Sequence, residues 1–176
     1  MAAKPQSFGE SSQLSKAILP EFEHEMQTTR RTLERLPEDK LTWKPHEKSM
    51  TLGALATHLA TINHWAEAIL GSESFDAGTA PANPELKSRS EVLAAFDANT
   101  ANARKAISAA TDAELLKPWS LLNKGNTVFT LPRIAVLRSF ILSHGIHHRG
   151  QFSVYLRLNN VPVPSIYGPS ADEGSF

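Results

Sequence analysis

A chain of 176 residues with 41% apolar and 20% charged residues has the size and balance of one globular domain that buries a core without staples. Its 18 basic residues equal its 18 acidic ones, so no broad positive field gathers nucleic acid or anionic lipid. The absence of cysteine excludes disulfides, thiolate ligands and a cysteine nucleophile, and it suits a reducing cytoplasm. Residues 1–176 are therefore expected to form a single cytoplasmic domain with neither a nucleic-acid nor a membrane partner. The opening Met1-Ala2-Ala3-Lys4-Pro5-Gln6-Ser7 lacks the apolar core of a signal peptide, and no stretch approaches the ~18 uninterrupted apolar residues of a membrane helix.

The first helix is expected from about Phe8 to Leu36, where Leu14, Ile18, Phe22, Met26 and Leu33 fall close to helical spacing. Pro20 marks an early turn or kink. Leu36-Pro37-Glu38-Asp39-Lys40 stops the helix, and Leu41-Thr42-Trp43-Lys44-Pro45 reads as an extended connection whose Trp43 closes one end of the core. A second helix is expected from near Thr51 to Leu70, with Leu52, Leu55, Leu59, Ile62, Ala66 and Ile69 on one stripe and Gly71 as the stop. His58 belongs to the adjoining row and faces the core side. His64, six residues on, lies about 240° around the helix and cannot share a metal with it.

A Gly-, Ser- and Pro-rich loop covers 72–87, and Ser88-Arg89-Ser90-Glu91 then opens a third helix as a capping box. Val92, Leu93, Phe96, Ala103 and Ile107 carry its apolar face to an end near Ala110. From Thr111 to Phe129 the chain reads as irregular, with a turn at Asn123-Lys124-Gly125-Asn126 and a short extended piece at Thr127-Val128-Phe129. Thr130 is the expected cap of the last helix, with Pro132 in its first turn. That helix should run to about Leu158, where Asn159-Asn160 end it and Pro162, Pro164 and Pro169 keep the tail nonhelical.

Four helices with moderate connections suggest an all-α four-helix bundle, which builds metal sites from side chains on facing helices. In the last helix Ile134, Leu137, Ile141, His144, His148, Gln151, Tyr155 and Leu158 share one stripe. His144 and His148, four residues apart, have Cβ atoms roughly 5 to 6 Å apart on one face, so both rings can reach one ion. His147 lies about 100° from His148 and faces elsewhere. A lone histidine on an apolar face is usually a packed core residue, but His58 from a second helix would complete three neutral nitrogen ligands. Three protein ligands leave a position open, as in catalytic zinc sites, where the metal lowers the pKa of bound water or polarises a substrate atom. Gly145 stands where the zincin motif has its glutamate, so any general base must come from elsewhere.

Arg149 suits an anionic substrate group and a structural ion pair alike, and Gln151 suits the orientation of a ligand or of bound water. Gly150 in mid-helix costs ~1 kcal/mol relative to alanine, which close approach of a neighbouring helix would explain. His147 fits the edge of the site or an outer hydrogen bond. His24, His46 and His64 read as ordinary surface or partly buried residues, and Trp43, Trp65 and Trp119 as packing.

Leu52-Gly53-Ala54-Leu55-Ala56-Thr57-His58-Leu59, His144-Gly145-Ile146-His147-His148-Arg149-Gly150-Gln151 and Val163-Pro164-Ser165-Ile166-Tyr167-Gly168, together with 36–45, resemble the DinB superfamily, also called YfiT-like, over nearly the whole chain. The resemblance implies an up-down-down-up four-helix bundle, with the irregular Pro-rich tail after it, and a divalent metal on three histidines that match His58, His144 and His148 here. It also implies a homodimer and a small-molecule substrate, a low-molecular-weight thiol among the candidates, since members include thiol S-transferases and metal-dependent hydrolases. A metal-dependent transferase or hydrolase is thus expected, with Arg149 and Gln151 as candidate catalytic residues. The alternative is a noncatalytic metal-binding or stress-related interaction module, which the missing general base leaves open. Zinc or nickel suits three imidazoles first, with iron, manganese or copper as further options. An acidic residue within reach of the metal would favour hydrolysis; a deep pocket with cationic walls would favour a thiol cofactor.

Overall fold

Ser12 begins the first helix, its hydroxyl accepting the Ser15 amide while it donates to Asp112. The computed structural model describes residues 12–80 and 85–175, so the expected start at Phe8 lies outside the described residues. Helix α1 (Gln13–Leu33) continues through Pro20 and buries Ile18, Phe22, Met26 and Leu33. The connection after it is a 3₁₀ turn at Glu38–Lys40 followed by further turns, not an extended strand. Its carbonyls serve the next helix: Trp43 O accepts the Leu52 amide and Leu41 O the Gly53 amide, each at 2.8 Å. Trp43 meets Tyr155 edge to face at 5.4 Å between centroids.

The expected second helix divides into α2 (Leu52–Thr61), a tight 3₁₀ turn at Ile62–His64, and α3 (Trp65–Gly71). The division falls where the Thr61 hydroxyl donates back to the carbonyls of Thr57 and His58, a bond that bends helices. The stripe from Leu52 to Ile69 stays buried across the break. Helix α4 (Arg89–Ala109) starts at Ser88, which accepts the Glu91 amide. The Glu91 carboxylate takes the Lys87 amide instead of that of Ser88, so only half of the expected box forms. The complete box belongs to α5 (Asp112–Leu116), between Thr111 and Glu114.

The all-α expectation is corrected by a small sheet of β1 (Ser74–Asp76), β2 (Pro118–Asn123) and β3 (Asn126–Pro132), in the order β1-β2-β3. β1 runs parallel to β2, and β2 and β3 form an antiparallel hairpin. Lys124 and Gly125, at φ 50° and 79°, make the two-residue turn with left-handed conformations that suits the strand twist. The Asp76 carboxylate accepts their two amides and that of Gly78, fastening β1 to the hairpin. Thr130 and Pro132 therefore lie in β3, and the Thr130 hydroxyl pairs with Ser120 instead of capping a helix.

The last helix begins at Arg133. It consists of α6 (Arg133–Val136), a π-helical segment (Leu137–Ser143) and α7 (His144–Leu158), and Asn160 follows at φ 57°. Helix α4 packs on both α1 and α2, and α7 packs on both from the other side, around Phe22, Leu55, Phe96, Phe152 and Leu156. The tail is pinned by the ion pairs Arg35–Glu173 and Arg157–Asp172. Among the described residues no helix is long and apolar enough to cross a membrane.

Candidate metal centre

A π turn holds one residue more than an α turn, and such insertions mark functional sites. Had α geometry continued from Leu137, the core row would pass through Ile141, His144, His148 and Tyr155. Instead Ile141 and Leu142 are both buried, and beyond them the buried row runs Gly145, Arg149, Phe152 and Leu156, one residue further along than α geometry gives. His144 and His148 are thereby turned out of the core to half-buried positions on its flank, where α2 presents His58. The single stripe read from the sequence thus splits at the π segment.

The same turn frees an acceptor. The His144 amide bonds to the carbonyls of Ser139 and Ile141, so the Phe140 carbonyl, its partner in an α-helix, lies 3.3 Å from His144 Nδ1. A carbonyl only accepts; hence Nδ1 carries the hydrogen and Nε2 bears a lone pair. His148 is fixed in the same sense, its Nδ1 donating to Gln151 Oε1 at 2.7 Å. The two Nε2 atoms are 2.8 Å apart and His58 Nε2 is 3.2 Å from that of His144. Lone pairs facing at this distance repel unless a cation lies between them.

Burial favours a metal over a proton as that cation. Desolvation lowers the pKa of all three imidazoles: His58 falls to about 4, with the neighbouring His148 and His144 adding to the effect, while in His144 and His148 the bonds to Phe140 and Gln151 oppose the fall. Neutral imidazole is the form that ligates. The three ligand atoms lie within 4.8 Å of one another, and no carboxylate joins the cluster among the described residues. The residues therefore fit a divalent ion with at least one position left open.

Outside the triad, a cavity of about 370 Å³ is lined by Met50, Ala54, Thr57, His58, Thr61 and Glu85, which gives a small molecule a path to His58. A second groove of about 380 Å³, between α1 and α4, touches no triad residue and is bridged by the ion pairs Arg30–Asp97 and Arg104–Glu23.

Arg149 and Gln151 part company. Gln151 is exposed and holds a triad ring. Arg149 is 1% exposed and faces α1, where it donates to Glu25 O and Thr29 Oγ1 through Nη1 and to Glu25 Oε2 and Tyr167 Oη through Nη2, at 2.6–3.1 Å. Tyr167 in turn donates to Glu25 at 2.8 Å, so the tail closes the pair. His147 is exposed with its ring 5.0 Å from that of His148, and His24, His46 and His64 are exposed away from the cluster. Among the described residues nothing lies within 4 Å of a Cβ built at Gly150, so none of them makes the helix approach expected there. Sequence reasoning missed the Phe140 carbonyl, for which no side-chain signal exists, and Glu85, hidden in a loop with no periodicity.

The helical bundle that carries this triad on the flank of its core is a fold that known proteins share. The chain belongs to the DinB family, whose model matches residues 11–175. It is 27% identical over 159 residues to the uncharacterised Bacillus subtilis protein YrdA, covering 89% of each chain. The crystal structure of a DinB-like protein from Bacillus cereus superposes with a TM-score of 0.69 at 23% identity, over 86% of this chain and 97% of that one. A DinB-like protein from Bacillus subtilis, YjoA, gives 0.64 at 20% identity, over 83% and 95%. At these identities the two structures speak for the fold alone.

Proposed function

We propose that the protein is a metal-dependent enzyme that holds one divalent ion on His58, His144 and His148, and that transfer of a small thiol to an electrophile is the reaction its site suits best. The carrying observation is the convergence of three neutral imidazoles with no carboxylate among their partners. A divalent ion there supplies the positive charge that keeps a thiol sulfur deprotonated at neutral pH, so no protein base is needed. Phe140 O and Gln151 hold the rings of His144 and His148 so that their Nε2 lone pairs converge, as outer partners of metal-binding histidines do. Arg149 acts in this reading as a positioning residue that clamps α7 to α1 and the tail, not as a group that touches substrate.

Hydrolysis is the second reading. The Glu85 carboxylate and the lack of any lysine or arginine on the described cavity wall beside His58 favour it, while the lack of a carboxylate in the triad cluster itself weighs for transfer. Metal analysis of protein purified without a nickel column, on wild type, His58→Ala and His148→Ala, tests the site. One equivalent of zinc or nickel is expected in the wild type and none in either variant; a metal-free wild type overturns the reading. Assays of the metal-replete protein with small thiols plus 1-chloro-2,4-dinitrobenzene, and with activated esters, then separate transfer from hydrolysis. Absence of turnover in both assigns the site to a noncatalytic metal-binding module.

A further inference from the structure

The cavity that borders His58 has one charged wall. Its other side chains are apolar or internally committed: Thr57 Oγ1 accepts the Leu86 amide at 3.0 Å and the Thr61 hydroxyl donates to Thr57 O at 3.0 Å, which leaves Met50, Ala54 and the carboxylate of Glu85 to meet a ligand. Among the described residues no lysine or arginine pairs with Glu85. The carboxylate is exposed and lies over the start of α2. Thr51 Oγ1 donates to its Oε1 at 3.4 Å, and the same oxygen lies 2.6 Å from where a Cβ would stand at Gly53. The absence of a Cβ at Gly53 leaves room for it in this position over the first turn of α2.

We propose that Glu85 is a specificity-determining residue that receives the cationic group, such as a primary ammonium, of the small molecule that reacts at the triad. The proposal rests on the cavity's being the approach to the His58 site, as read above. His58 lies five residues beyond Gly53 on α2, roughly 7 to 8 Å along the helix axis at 1.5 Å per residue. The substrate class is therefore a short molecule, within a cavity of about 370 Å³, whose cation and reacting atom are separated by at least that rise. A bound divalent ion repels a cation placed beside it, and the separation is what lets both charges occupy one cavity.

The test titrates n-butylammonium, 1-butanol and butyrate into the protein, with and without zinc, and reads the amide NMR shifts of Ala54, Thr57 and Thr61. Butylammonium is expected to bind up to about fivefold more tightly than butanol, as one exposed opposite charge allows, and butyrate more weakly than both. In Glu85→Gln, which keeps an oxygen for Thr51 and removes only the charge, the preference should fall below about twofold. Equal binding of butylammonium and butanol by the wild type, or an undiminished preference in Glu85→Gln, overturns the proposal. Ala54→Leu, which fills the cavity from α2, should remove the shifts caused by all three probes. Persistence of the butylammonium shifts there would place the cation elsewhere and also overturn it. Zinc binding measured on the same samples separates this inference from the metal reading: Glu85→Gln should bind zinc as the wild type does, and a wild type that discriminates cations yet binds no zinc would refute the metal centre alone.

Discussion

His148 and Arg149 are consecutive residues on α7, yet they meet opposite fates. Arg149 carries its charge into the core and finds four acceptors or partners waiting on α1 and the tail. His148 stays half-buried and neutral, with one ring nitrogen fixed by Gln151 and the other aimed at His144. A buried polar group that is fully satisfied within the chain is a structural device. A group whose lone pair faces other lone pairs is incomplete without something from outside, and that incompleteness identifies the functional face of the helix better than charge or burial does.

The largest expected effect is on the ligand side. His58→Ala or His148→Ala should abolish stoichiometric zinc binding by calorimetry, and retention of one equivalent in either would erase the contrast between the two faces. On the structural side, Arg149→Met leaves Glu25 buried without its cation, a change that costs about 3 to 5 kcal/mol. Urea denaturation measures it; a loss below 1 kcal/mol would mean that Arg149 is not the clamp described. Gln151→Ala should leave apo stability nearly unchanged and weaken zinc about tenfold, because an outer partner sets ring orientation. An equal loss of stability and affinity would merge the two faces.

Protons probe the same difference. The triad pKa values are lowered in the folded chain, that of His58 from 6.5 to about 4, so between those limits the unfolded state binds more protons than the folded one. Apo stability should therefore be level above pH 6.5 on this account and fall as pH drops toward 4. Urea midpoints at pH 7 and pH 5 check the slope, which His58→Ala should reduce. The smallest effect expected is at Gly150, where a Cβ meets nothing. Gly150→Ala should raise stability by about 0.5 to 1 kcal/mol, and a loss instead would show that something beyond the described residues, such as a second copy, approaches that face.

Much of this was legible in the sequence for physical reasons. Helical spacing exposed the stripes from Leu52 to Ile69 and placed His144 beside His148, and the Lys124-Gly125 pair marked a turn. What stayed hidden obeyed no side-chain period. β3 has only Phe129 partly buried among exposed neighbours, so it shows no alternation of inward and outward residues, and its strand character comes from pairing with β2. Arg149 occupies a core position that hydropathy assigns to the surface, because its partners come from Glu25 and Tyr167, over a hundred residues before it and eighteen after. The π segment is invisible to any reading that assumes 3.6 residues per turn throughout, and that assumption put the histidines in the core row.

The extra residue in that segment makes the centre a matter of phase. Were 137–158 to run as uninterrupted α-helix with no residue lost, everything beyond the segment would turn by about 100°, whereas deleting one residue within it, Ser139 for instance, together with the π turn would leave the later residues in their present phase. In the first case all three histidines would remain in the chain and on their helices, while Arg149 would swing away from Glu25 and His144 and His148 would turn into the hydrocarbon interior. A three-nucleotide deletion inside the π segment thus removes the bulge and spares the ligand set, without any ligand residue being exchanged.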